Sequence, residues 1–263
     1  MAESVKLKKE DGTAVVLLNR PEAFNAFDQE MVVLLANTLT HLTLDDSVSA
    51  VVISGEGKAF CAGGDLRSLL ALPAGPAAGL YELAASFHQA IMEIRRMKKP
   101  VIAAINGIAA GGGFSMALAC DFRVMAQPAV LRQAYTSNGL SIDGGGTFTL
   151  PRMVGLARAL EIIGLDQSIS SEQALAWGLA TKVVPDGKAL EEALRFALEL
   201  KKVSPHSFGR CKELMTNSFD TPFEAQMELE RSALFCCADH PDGKEGLKAF
   251  VEKRKPVFTD KKI

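Results

Sequence analysis

Three glycine clusters hold the groups best placed to do chemistry in this 263-residue chain. Gly111, Gly112 and Gly113 stand between the apolar run Val101 to Ile105 and a small-residue stretch carrying Met116, Ala117, Leu118 and Ala119. Glycines at a helix start leave main-chain N–H groups uncovered at the positive end of the helix dipole, a place suited to a negatively charged oxygen. Gly63 and Gly64 follow a second apolar stretch, and Gly144, Gly145 and Gly146 follow Asp143, which reads as a helix N-cap. Gly113-Phe114-Ser115-Met116-Ala117 approaches a G-x-S-x-G nucleophile elbow, although its last position is alanine. His206 and His240 follow in the order such a triad needs, which leaves a serine hydrolase open. There is no G-x-G-x-x-G after the first strand and no G-x-x-x-x-G-K-[ST], so the glycines do not read as a nucleotide site. A purely structural role, close helix–strand packing, stays open for them at this point.

These clusters need strands and helices to hold them. Five apolar residues in a row at 101–105 predict a strand buried on both faces, and 48–54 reads the same way. Asp11-Gly12 marks a hairpin turn between two apolar runs. Helical spacing of Met31, Leu34, Leu35, Leu39 and Leu42 predicts a helix over 28–42, and another is expected over 81–97. Proline, alanine and glycine at 69–79 predict a mobile loop. A helix after Thr147 is expected to be interrupted near Pro151, and Ser170-Ser171-Glu172-Gln173 forms a capping-box signal closed by Gly178. Strands are expected at 122–126 and 182–184. From Leu190 the pattern is helical, with Ser204-Pro205 and Thr221-Pro222 as start signals. Strands alternating with helices imply an α/β core with parallel pairing over 1–200, followed by a helical tail over 201–263.

A net charge of −2 argues against a nucleic-acid surface and gives no bias towards membranes. The stretch 99–121 is too broken, by Asn106, Ser115 and glycines, for a membrane span. Met1-Ala2-Glu3-Ser4 lacks the basic start and apolar run of a secretory signal. Five cysteines without a C-x-x-C pair fit a reducing, cytoplasmic setting, with Cys236 and Cys237 expected in a helix core. The four histidines (His41, His88, His206, His240) show no metal spacing, and no metal site is expected.

Together the clusters and their flanks resemble the enoyl-CoA hydratase/isomerase (crotonase) family. The resemblance runs through N-R-P-E-A-F-N-A-F at 19–27, K-A-F-C-A-G-G-D-L at 58–66, K-P-V-I-A-A-I-N-G-I-A-A-G-G-G at 99–113 and A-C-D at 119–121. It continues through G-x-x-x-D-G-G-G-T-x-x-L-P-R-x-V-G at 139–155, A-x-x-W-G-L-A-x-x-V-V at 174–184 and E-G-L-K-A-F-V-E-K-R-K-P-V-F at 245–258. It implies a spiral of strand–strand–helix turns around a coenzyme A thioester, coenzyme A being part of the substrate and no separate cofactor being needed. The tail at 201–263 is then a trimerisation region, the trimers often pairing into hexamers. The N–H groups at Gly64 and Gly112 would hold the thioester oxygen. Ala62, Asp65, Leu66 and Arg67 would line the path of the adenine and pantetheine, with Lys253 as a phosphate contact.

The proton carriers separate the reactions of such a family. Its hydratases use two glutamates, and the matching positions here are Ser115 and Tyr135, so hydration by a carboxylate pair lacks both partners. Asp143 stands where isomerases of the family carry an aspartate that takes a proton from one carbon and returns it to another. The resemblance therefore implies a shift of a double bond from 3-enoyl-CoA to 2-enoyl-CoA. The alternatives are a hydratase using Asp143, or a 4-chlorobenzoyl-CoA dehalogenase-like or hydrolytic enzyme in which Asp143 is the nucleophile and His88 activates water. A binding homologue without catalysis is the remaining alternative.

Overall fold

A computed structural model describes residues 3–258; Met1 and Ala2, part of the N-terminal stretch read above, lie outside them. The chain opens with the hairpin β1 (Val5–Glu10) and β2 (Thr13–Leu18), paired antiparallel across Asp11-Gly12. Asp28 caps α1 (Gln29–Leu44) by accepting the Met31 N–H at 2.8 Å. The following strand–turn–strand unit is β3 (Ala50–Gly55) and β4 (Ala59–Cys61), succeeded by α2 (Leu66–Leu70) and α3 (Pro76–Arg96). The second unit is β5 (Val101–Ile105) and β6 (Ile108–Ala110) with α4 (Gly112–Ala119). The third is β7 (Phe122–Ala126) and β8 (Val130–Arg132), with α5 (Gly146–Val154) and α6 (Leu156–Leu165). Then come β9 (Ile169–Ser170), α7 (Ser171–Ala176), β10 (Lys182–Val184) and α8 (Ala189–Leu200). Three helices finish the described chain, α9 (Pro205–Asn217), α10 (Phe223–Asp239) and α11 (Pro241–Val251).

The first strand of each unit enters a six-stranded sheet of order β1-β2-β3-β5-β7-β10, parallel except for β1. The second enters a smaller sheet, β4-β6-β8-β9, so each unit steps the chain from one sheet to the other. Every residue of β2, β3 and β5 is buried, as strands covered on both faces require. Helix α8 lies on β3, β5 and β7, and α1 packs along α3. The buried Lys99 spends its charge on the carbonyls of Leu42 and Asp45 at the end of α1, at 2.7 and 2.6 Å. Its cation thereby answers the negative end of that helix. No helix of the described residues is long and apolar enough to cross a membrane.

Several expectations need correcting. The stretch 69–79 is not one loop: α2 runs to Leu70, and Pro76 starts α3 from its first position, five residues before Tyr81. Asp65 caps α2 at Ser68, and Leu69 and Leu72 pack so closely on Gly79 that a Cβ there would lie 2.9 and 2.3 Å from their methyl groups. Pro151 does not interrupt its helix; the break comes at Gly155, whose φ of 76° is open to glycine. Cys236 and Cys237 are helical but not core residues, because α10 packs mainly on α9 and α11 and none of its residues is buried.

Candidate active site

Two of the glycine clusters, and the Asp143 that precedes the third, meet at one cavity of about 130 Å³. Ala62, Gly63 and Gly64 supply its wall from the turn after β4, Gly111 and Gly112 from the start of α4, and Leu80, Leu83, Ala84 and Phe87 from α3. Phe27, Leu66 and the segment holding Tyr135, Asn138, Leu140 and Asp143 complete it. Asp143 is the one carboxylate among these lining residues.

The geometry of the first two turns follows from backbone alternation. The Phe27 N–H donates to Gly63 O at 2.7 Å and the Asp65 N–H donates to Phe27 O at 2.8 Å, so Gly64 is bridged from one side by its neighbours. In an extended segment successive N–H groups alternate in direction, which turns the N–H of Gly64 away from Phe27. On the far side lies the other turn: a Cβ on Gly63 (φ 94°) would sit 3.0 Å from Ala110 O and 3.2 Å from Gly112 N. Only glycine permits that approach. Gly112 is the first residue of α4, its N-cap Gly111 offers no side chain, and the first-turn N–H groups of a helix have no acceptor within it. Two adjacent bends thus border one cavity with main-chain donors and no side chain in front of them.

Asp143 does not cap α5. Gly145 is the N-cap, no side chain accepts there, and Asp143 contributes only its main-chain oxygen, to the Gly146 N–H at 3.1 Å. The carboxylate is therefore available to the cavity. The phenol of Tyr135 donates to its Oδ1, and His88 Nε2 lies 3.6 Å from its Oδ2. Burial, and after it the negative charge of Asp143, raises the Tyr135 pKa, which keeps that phenol protonated and a donor. Nε2 of His88 also accepts the Gly144 N–H at 3.2 Å, which places the ring beside the loop before α5. Gly144 (φ 58°) lets the loop lie on Phe87, where a Cβ would come within 2.4 Å of the ring.

Residues silent in the sequence hold Tyr135 in place. Ala134 takes a φ of 51°, unusual for a residue with a Cβ, and its N–H donates to Asp166 Oδ1 at 2.8 Å. The fully buried Gln133 accepts the Tyr135 N–H at 3.0 Å. No local motif announces the Asp166 support, which reaches across 32 residues. Ser115 is wholly buried with its Oγ unpartnered against the start of α5, and His206 and His240 stack face to face at 4.0 Å. The serine triad left open above has no assembled base.

Of the residues expected along the coenzyme A path, Ala62 and Leu66 border the cavity. Asp65 instead binds Arg20 Nη2 at 2.9 Å and caps α2. Burial opposes its ionisation, but the hydrogen bonds from Arg20 and Ser68 prevail and hold its carboxyl below the usual range. Arg67 is exposed on α2 and Lys253 is exposed after α11, neither lining the cavity.

Known proteins match this arrangement over nearly the full length. The family model described as enoyl-CoA hydratase/isomerase matches residues 8–261. The chain is 35% identical to the 1,2-epoxyphenylacetyl-CoA isomerase of Escherichia coli (strain K12), covering 99% of this chain and 100% of that one. It is 32% identical to 4-chlorobenzoyl coenzyme A dehalogenase-2 of Arthrobacter sp, covering 95% and 91%. The crystal structure of an enoyl-CoA hydratase from Polaromonas sp. JS666 superposes with a TM-score of 0.92 at 37% identity, covering 97% of this chain and 99% of that one. The crotonase fold, the converging glycine turns and these likenesses together place the chain in the enoyl-CoA hydratase/isomerase family.

Proposed function

We propose that this enzyme moves a double bond in an acyl-CoA thioester, converting 3-enoyl-CoA to 2-enoyl-CoA through a thioester enolate. The observation that carries this reading is that the cavity between the two N–H-bearing turns has Asp143 as its one carboxylate. Deprotonation at C2 sends negative charge to the thioester oxygen, where the N–H groups of Gly64 and Gly112 stabilise it more than they stabilise the neutral carbonyl. One such donor is worth roughly 3–4 kcal/mol of barrier. Asp143 takes the C2 proton and delivers it to C4. That job needs one carboxylate, whereas hydration also needs a water held and activated. Ser115 and the protonated phenol of Tyr135 supply no second base for it. A panel of 2-enoyl-, 3-enoyl- and aromatic-CoA thioesters, assayed for conversion with wild type and Asp143→Asn, tests the reading. Selective, Asp143-dependent conversion of the 3-enoyl compound is expected; hydration of the 2-enoyl compound as the main activity contradicts it.

Tyr135 has a positioning role in this scheme. Its hydrogen bond fixes Oδ1 and leaves Oδ2 for the substrate. A hydrogen bond to a charged group is worth about 1.5–3 kcal/mol, so Tyr135→Phe is expected to lower kcat by about 10- to 100-fold with little change in KM. Steady-state kinetics check this, and a change confined to KM would place Tyr135 in binding instead.

The position of His88 beside Asp143 favours a second reading, with Asp143 as nucleophile and His88 as the base for water. Halide release from 4-chlorobenzoyl-CoA is its test: Asp143→Asn is expected to abolish it, and His88→Gln to stop it after at most one equivalent per site.

We also propose that the tail, 201–263, joins copies of the chain into trimers or paired trimers. Support comes from the exposed Phe223, Leu234, Phe235 and Phe250 on helices α10 and α11. Large exposed apolar side chains gathered on a protein surface mark interaction surfaces. Sedimentation velocity is expected to give a mass of three or six chains, and a monomer at micromolar concentration overturns this.

A further inference from the structure

We infer that this enzyme takes a compact acyl group, about the size of one six-membered ring, and that Phe27 and Leu83 form the wall that sets this limit. The inference rests on the acyl-CoA reading above and deepens it. Two cavities lie on either side of these residues. The first, about 130 Å³, holds Gly64, Gly112 and Asp143; the second, about 390 Å³, lies between α1, α2 and α3. Phe27 and Leu83 border both. An apolar cavity of about 150 Å³ accommodates benzene, so the first space suits a single ring or a short acyl group.

The wall stands close to the reacting end. Leu83 Cδ2 would lie 3.5 Å from a Cβ on Gly64, so an acyl chain whose thioester oxygen sits at Gly64 meets Leu83 within a few carbons. Phe27 is fixed by its contact with Phe87, ring centroids 5.0 Å apart, which leaves Leu83 as the removable part of the wall. Beyond it the second cavity is lined by Leu69 and Leu72 and by the acidic residues Asp28, Glu30, Asp65 and Glu82. A methyl-ended chain suits such a space, and a carboxyl-ended one does not.

Calorimetric binding of acetyl-, hexanoyl-, decanoyl- and phenylacetyl-CoA tests this without relying on turnover. In wild type, decanoyl-CoA is expected to bind no tighter than hexanoyl-CoA, because its extra methylenes find no room. In Leu83→Ala the cavities join, and decanoyl-CoA gains at least about tenfold over hexanoyl-CoA, the worth of two buried methylenes. An affinity that climbs with chain length already in wild type, or an unchanged ranking in Leu83→Ala, overturns the inference. Should Leu83→Ala fail to melt cooperatively, Leu83→Phe decides. Thickening the wall is expected to weaken phenylacetyl-CoA at least about tenfold while sparing acetyl-CoA, by the same methylene scale; undiminished phenylacetyl-CoA binding overturns it. Failure of every thioester to bind would strike the acyl-CoA reading itself, whereas binding without size dependence strikes this inference alone.

Discussion

Asp143→Asn is expected to lower kcat for 3-enoyl-CoA isomerisation by about 10³- to 10⁴-fold, the upper part of what a positioned acid–base group contributes. Asparagine keeps the size of the side chain and its place in the loop before α5, but it cannot accept the C2 proton. Tyr135 is held protonated by burial and by the adjacent charge, and Ser115 is wholly buried, so neither takes over the proton. KM should stay close to wild type, because the two N–H-bearing turns and the apolar wall still hold the thioester. A fall in kcat/KM due to KM alone would make Asp143 a binding residue. The fold should not suffer, since the carboxylate caps no helix.

The largest expected effect on stability belongs to Lys212→Met. Lys212 of α9 reaches into the core, where its Nζ donates to Ile94 O at 2.9 Å, Lys99 O at 3.3 Å and Asp121 Oδ2 at 2.7 Å. Asp121 also accepts the N–H of Val101 at 2.8 Å, at the head of β5. This one side chain joins the C-terminal helices to the central strand. Removing its charge takes from the half-buried Asp121 its hydrogen-bonded cation and leaves only the charges of Arg95 and Arg123 near it, which costs up to about 3–5 kcal/mol. Urea unfolding at pH 7.5 measures the loss, and a value under about 1 kcal/mol, that of a surface pair, would contradict the account. Burial already raises the Asp121 pKa above its usual 3.8, and the loss of Lys212 raises it further. A carboxyl whose folded pKa exceeds its unfolded one takes up a proton on folding as pH falls. The deficit of the variant should therefore shrink towards acidic pH. Adding Asp121→Asn should recover part of the loss at neutral pH.

What the sequence made legible was local. Val101 to Ile105 announces a doubly buried strand by composition alone, and Asp28, Ser170 with Gln173, and Ser204 announce helix starts because a cap lies within three residues of its partner. Strands β4, β6 and β8 were beyond such reading: each has three residues, too few for periodicity, and their pairing spans many residues. The same holds for the site. Gly64, Gly112 and Asp143 stand out through the motifs around them. The release of Asp143 from capping depends on Gly145 taking that place, and the hold on Tyr135 depends on Asp166. Leu83 looks like any core leucine of an amphipathic helix, and only the packed chain shows cavities on both its sides.

The central claim is that a single carboxylate carries hydrogen from C2 to C4 beneath a thioester oxygen held by two main-chain donors. The most direct measurement supplies 3-enoyl-CoA deuterated at C2 and locates the label in the 2-enoyl product by NMR. Wild type should place part of the deuterium at C4, and Asp143→Asn should abolish both the product and the transfer. Label moving to C4 at an undiminished rate in Asp143→Asn would contradict the account.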